Sequence, residues 1–125
     1  MAHADRLAVV TVCEVRVGVD CERRIPATAF GDLNWALTEV EAEEVRTGSE
    51  EILTEIWTAK ESAGKAAGVG LATAPRRIRT RALHPRPAPE ISFRKSEIDR
   101  MEFATRGWWL DDHHISVSWS VRDLG

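Results

Sequence analysis

Cysteine is scarce in this 125-residue chain: Cys13 and Cys21 are its only two, both inside apolar stretches. That argues against a disulfide scaffold or a four-ligand zinc knuckle and makes a reducing, cytoplasmic setting the simplest expectation. No apolar run approaches the roughly 18 residues that a membrane helix needs, and the N-terminus shows no signal-peptide pattern. Neither charge sign dominates: 17 basic and 20 acidic side chains leave a net charge of −3, which rules out a bulk polycation role. With 43% hydrophobic and 30% charged residues the composition is that of a globular protein, and the length predicts one domain over residues 1–125.

Acidic residues are missing altogether from Ser62 to Pro89, where Lys65, Arg76, Arg77, Arg79, Arg81 and Arg86 all fall. Residues 1–62 have a balance of −7 and residues 63–125 one of +4. The basic stretch is suited to an anion such as phosphate, nucleic acid or an acidic protein face; it reads equally well as a solvated strand and loop.

Leu7 to Cys13 is a short apolar run of the kind found in strands buried on both faces, and Glu14 to Asp20 alternates, with Val15, Val17 and Val19 on one face. Together they predict a hairpin or two adjacent strands. Thr38 and Glu41 have capping-box spacing, which predicts a helix ending near Thr47-Gly48. A longer helix is predicted from Ser49 as N-cap, with Ile52, Ile56, Ala59 and Ala63 on one face and Gly68 and Gly70 as its stop. Ile78 to Leu83, Ile91 to Phe93 and Ile115 to Val121 read as strands. In the last, Ile115, Val117, Trp119 and Val121 alternate with Ser116, Ser118 and Ser120 in the pattern of a half-buried strand. The order β-β-α-α-β-β-β predicts an α+β fold, a small antiparallel sheet packed against a long helix.

Two segments are candidates for chemistry. In Gly18-Val19-Asp20-Cys21-Glu22, residues two apart on a strand share a side, so Asp20 and Glu22 present their carboxylates together, a donor pair for a hard cation such as Mg2+. Gly18 admits close approach of another backbone or of a ligand. Two solvated acids beside Arg23 and Arg24 is the plainer alternative. In the long helix, Trp57, Glu61 and Lys65 fall on one stripe, followed by the small, uncharged run Ala66-Ala67-Gly68-Val69-Gly70-Leu71, against which a bulky ligand could lie. An ordinary surface ion pair beside a half-buried ring is the alternative there.

These segments, with Leu37-Thr38-Glu39-Val40-Glu41 between them and Trp57-Thr58-Ala59-Lys60-Glu61-Ser62-Ala63-Gly64-Lys65 as the last, resemble the ordered motifs of 4'-phosphopantetheinyl transferases. The resemblance runs from His3 to about Pro75. It implies transfer of the phosphopantetheine arm of coenzyme A to a serine of an acyl or peptidyl carrier protein, with release of adenosine 3',5'-bisphosphate. It further implies Asp20, Glu22 and Glu61 as Mg2+ ligands, and Glu61 or Glu41 as the base. Lys65 would act on the leaving phosphate, and Lys60 would contact phosphate. Met1-Ala2-His3-Ala4-Asp5 is similar to the end of the family's histidine segment, with Ala2 in place of serine. This implies that His3 touches the coenzyme 3'-phosphate. Arg76 and Arg77 are candidates for the coenzyme phosphates, and Arg23 and Arg24 for contacts with the carrier.

Longer members of the family carry two similar halves, and this chain resembles only the second. Shorter members build their sites between identical subunits, which implies a homo-oligomer here, a trimer in preference to a dimer. The competing function is a non-enzymatic module that binds nucleic acid or an acidic protein through Arg76 to Arg86. Trp35, Trp108, Trp109 and Trp119 are expected in the core or an interface, Asp111-Asp112-His113-His114 in a solvated turn, and Cys21 facing inward.

Overall fold

The computed structural model describes residues 2–4, 7–9, 16–69 and 75–123. Strands β1 (Ala2–Ala4) and β2 (Leu7–Val9) pair antiparallel with each other, Ala2 opposite Val9. Five further strands make an antiparallel sheet: β3 (Val17–Arg23), β4 (Ile78–Ala88), β5 (Ile91–Ile98), β6 (Met101–Leu110) and β7 (His113–Asp123). Their spatial order is β3-β7-β6-β5-β4. Of the hairpin or two adjacent strands expected over Leu7–Cys13 and Glu14–Asp20, the described parts are β2 and β3, which pack against each other. The last strand pairs with β3, Asp20 opposite Ser116 and Glu22 opposite His114, while β2 pairs with β1 and both pack against β3. Residues 10–15 of that expectation lie outside the described residues.

Between β3 and β4 come α1 (Phe30–Leu33), α2 (Glu39–Thr47) and α3 (Ile52–Ala67). The long helix α3 lies across one face of the sheet and touches all five strands, so the architecture is α+β as the pattern predicted. No described helix is long and apolar enough to cross a membrane.

The capping box at Thr38 forms, with Thr38 Oγ1 accepting from the Glu41 amide and Glu41 Oε1 from the Thr38 amide, and Gly48 ends the helix. The start of α3 lies later than Ser49 predicts: Ser49 to Glu51 form a turn, Glu51 is the N-cap, and Ser49 accepts the Ile52 amide through its backbone carbonyl. At the other end Gly68 adopts φ 79°, the left-handed cap that a side chain resists.

Ile56, Ala59 and Ala63 are buried, as the spacing predicts. Ala63, Ala66 and Ala67 pack against Ile78, Ile98 and Phe103, so the protein's own sheet occupies the small-residue run up to Ala67. Small side chains let the helix lie close to the sheet, and Ile78, Ile98 and Phe103 each contribute roughly 1.5–3 kcal/mol by leaving water.

Strand β7 is covered on both faces: Ile115 packs with Val19 and Cys21 on one, and its serines lie on the other. Ser116 and Ser118 are fully buried beneath α3, while Val121 is 54% exposed. Ser62 Oγ on the helix lies 3.0 Å from Ser116 Oγ and 2.8 Å from Ser118 Oγ, and the chain of hydroxyls continues through Thr105 to Ser96. Because each hydroxyl of this chain has a partner, the helix and sheet can meet through polar groups here at little cost. Val117 and Trp119 therefore face away from α3. Strand β6 had no clear alternation and went unpredicted; Ala104 and Gly107 interrupt it on opposite faces. Strand β4 keeps Pro85 and Pro87 because it is an edge strand with a register shift between Leu83 and Ala88.

Candidate active site

The site is built where α3 crosses β3. A side chain at Gly18 would collide with the Ser62 carbonyl oxygen and stand 2.5 Å from the Ala66 amide nitrogen, so glycine there admits the helix backbone rather than a ligand. The two elements come close enough for residues two apart on β3 to meet residues four apart on α3: Asp20 and Glu22 from the strand, Glu61 and Lys65 from the helix. Lys65 Nζ donates to Asp20 Oδ1 at 3.0 Å and to the Val19 carbonyl at 3.1 Å.

Asp20 is buried, 6% exposed, and its other oxygen, Oδ2, is buried without a hydrogen-bond partner. Burial raises the Asp20 pKa above its usual range although the Lys65 ammonium opposes the shift. Glu22 is pushed up to about 7, first by burial and then by the charges of Asp20 and Glu61. Glu61 is raised by burial and by Asp20. Asp20 raises both glutamates and Glu61 raises Glu22, so the cluster lacks positive charge, of which Lys65 supplies only part. The donors are hard oxygens and one is orphaned, which fits a hard divalent cation. Among the described residues, no three His, Cys, Asp or Glu side chains are already gathered as a coordination group.

Other candidate residues lie elsewhere. Lys60 and Glu41 are 0% exposed and form an ion pair in the interior. Glu41 Oε2 also accepts the Thr80 amide of β4 at 2.8 Å, so this carboxylate joins α2, α3 and the edge of the sheet. Neither side chain has a surface to offer phosphate or a serine proton; a buried pair with this many partners acts on structure. Burial lowers the Lys60 pKa, and Glu41 opposes the shift. Arg76 lines a cleft with Asn34, Thr38 and Arg46, and Arg77 pairs with Asp99. Within the basic stretch Arg79 pairs with Glu97, and Arg86 holds Glu55 through two bonds at 3.1 and 3.2 Å. These pairings divide the expected patch. His3 lies on β1 opposite Ala8, and β1 packs against β3.

His114 does not belong to a solvated turn. The turn is Asp111-Asp112, with Asp111 at φ 54°, and His114 is 1% exposed in β7. Its Nδ1 meets Thr58 Oγ1 at 2.5 Å and its ring packs on Trp109 at 4.9 Å between centroids. Burial, with Arg86 and Arg94 nearby, lowers its pKa to about 3, so the imidazole is neutral at physiological pH. Gly107 makes room for it, since a side chain there would stand 2.6 Å from Nε2. This core histidine and the hydroxyl chain under Ser62 escaped sequence reasoning. The available signal was a strand whose alternate residues, His114, Ser116, Ser118 and Ser120, are all polar and suit a polar interior.

No curated protein sequence matches this chain. The family model of the 4'-phosphopantetheinyl transferase superfamily matches residues 16–118, a span that contains Asp20, Glu22, Glu61 and Lys65 together with the whole five-stranded sheet up to Ser118. Fold, motif order and family match agree: the chain belongs to the 4'-phosphopantetheinyl transferase superfamily.

Proposed function

We propose that the protein transfers 4'-phosphopantetheine from coenzyme A to a serine of an acyl or peptidyl carrier protein, releasing adenosine 3',5'-bisphosphate. The observation that carries this reading is the Lys65–Asp20 pair where α3 crosses β3, with Asp20 Oδ2 buried and unpartnered and the charges of Glu22 and Glu61 close by. In the reaction the carrier serine oxygen bonds to the phosphorus that bears pantetheine. The bond from that phosphorus to the bridging pyrophosphate oxygen breaks, and the electron pair leaves with the bisphosphate. Asp20, Glu22 and Glu61 would hold Mg2+, which when bound supplies positive charge against the pyrophosphate. Glu61, half-buried and raised in pKa, takes the serine proton. Lys65 neutralises the leaving phosphate, an interaction that strengthens as charge develops. Glu41 and Lys60 act from the interior by holding α2, α3 and β4 in register.

Incubation with coenzyme A, Mg2+ and a panel of apo carrier proteins should add about 340 mass units to at least one of them, the size of the phosphopantetheine arm. Intact-mass spectrometry reads this. No adduct on any carrier, with the enzyme folded, would overturn the reading.

The cluster offers coenzyme A one wall, and we take a second copy of the chain to supply the other, in a homotrimer in preference to a dimer. The sheet face away from α3 supports assembly: Ile91, Trp108, Val117 and Trp119 line an apolar cleft of about 590 Å³ there. Light scattering should give three times the chain mass, and an active monomer would sink the shared site.

A further inference from the structure

Lys65 has been given a task at the leaving phosphate, yet the structure commits it elsewhere. Its ammonium donates to Asp20 Oδ1 at 3.0 Å and to the Val19 carbonyl at 3.1 Å. Its stem starts beside Gly18, where the helix meets the strand, so the short path to Asp20 is open. The two ends of the pair differ in freedom: Asp20 is 8% exposed at its side chain and fixed, whereas the Lys65 side chain is 43% exposed. A long side chain at that exposure can leave its partner, because an accessible ion pair is held only weakly.

We infer that Lys65 is a resident counter-cation of the acidic cluster which a divalent cation displaces from Asp20, freeing its ammonium for phosphate only when the metal site fills. The inference rests on the metal reading above and adds an order of events to it. A divalent cation on the unpartnered Oδ2 stands next to the ammonium on Oδ1 of the same carboxylate and repels it, and an ammonium docked on Asp20 is withheld from a phosphate. Cation binding and positioning of the lysine are thus one exchange. Until it occurs, Lys65 lessens the repulsion among Asp20, Glu22 and Glu61, so the cluster is held together without metal.

The chain has three lysines, Lys60, Lys65 and Lys95, so the side-chain NMR signals of 13C,15N-lysine can be assigned with one variant, Lys65→Met. The probe is Mg2+ alone, without coenzyme A, on the full chain. The Lys65 Cε signal should shift and sharpen, and its ammonium signal shift and broaden by faster exchange with water, along the same isotherm that calorimetry records, while the buried Lys60 signal stays in place. Lys65→Met should bind Mg2+ about 2- to 5-fold more tightly, the range expected from removing an exposed competitor. Lys65→Arg, which keeps the charge and can fork onto the carboxylate, should bind it more weakly than Lys65→Met. If Mg2+ binds and the Lys65 signal does not move, the exchange is wrong and the metal site stands. If neither the wild-type protein nor Lys65→Met binds Mg2+, both fall.

Discussion

Glu61→Gln is expected to lower the rate of phosphopantetheine transfer by roughly 10²- to 10⁴-fold, the span attached to loss of a general base. Three properties converge on this residue. It stands one helical turn before Lys65 on α3 and faces β3, its pKa is raised by burial and by Asp20, and it is one of three acids competing for too little positive charge. Glutamine keeps the shape, removes one charge from the cluster and cannot accept the serine proton. Stability separates this from a general defect. A carboxylate among like charges is a source of repulsion, so Glu61→Gln should melt at or above the wild-type temperature in metal-free buffer. Transfer within about tenfold of wild type in a variant of unchanged stability would remove Glu61 from the chemistry.

Gly18→Ala should destabilise the protein by about 3 kcal/mol or more, at the upper end of what one added methyl does in a packed interior. The new carbon would collide with the Ser62 carbonyl and press on the Ala66 amide. Both are backbone atoms of α3, so no rotamer change relieves the contact and α3 must lift from β3. That movement also separates Asp20 and Glu22 from Glu61 and Lys65, so transfer by the folded fraction should fall as well. Gly31→Ala is the control, since Gly31 is exposed and a side chain there meets nothing within 4 Å. Urea unfolding of the three proteins measures the difference. A Gly18→Ala variant within about 0.5 kcal/mol of wild type would mean that the helix does not pack on the strand in this way.

Local rules read locally determined features well. The capping box at Thr38 and Glu41, the end of α2 at Gly48 and the stop of α3 at Gly68 were legible because each is decided within one turn of chain. The motif residues were legible for a related reason, since Asp20 with Glu22 and Glu61 with Lys65 each share a face through the period of their own element. Side chains whose surroundings come from distant segments were read less well. Lys60 and Glu41 look like exposed members of a charged motif, yet they close a buried pair that α2, α3 and β4 create together. Alternation in β7 marked two faces but not that both are covered: Ile115 packs with Val19 and Cys21 on one. The hydroxyls of Ser62, Thr105 and Ser96 hold the serine face against α3.

Local pattern sufficed for the α+β class, the capping box of α2 and the glycine that stops α3, and it singled out Asp20, Glu22, Glu61 and Lys65 together with Glu41 and Lys60. Long-range packing is what starts α3 at Glu51 instead of Ser49, sets Gly18 against a helix, buries Lys60 with Glu41 and rests Lys65 on Asp20. The physical reason is range. Capping and periodicity act over three or four residues, whereas burial, desolvation and the partner of a charge depend on segments tens of residues apart, here 45 between Asp20 and Lys65.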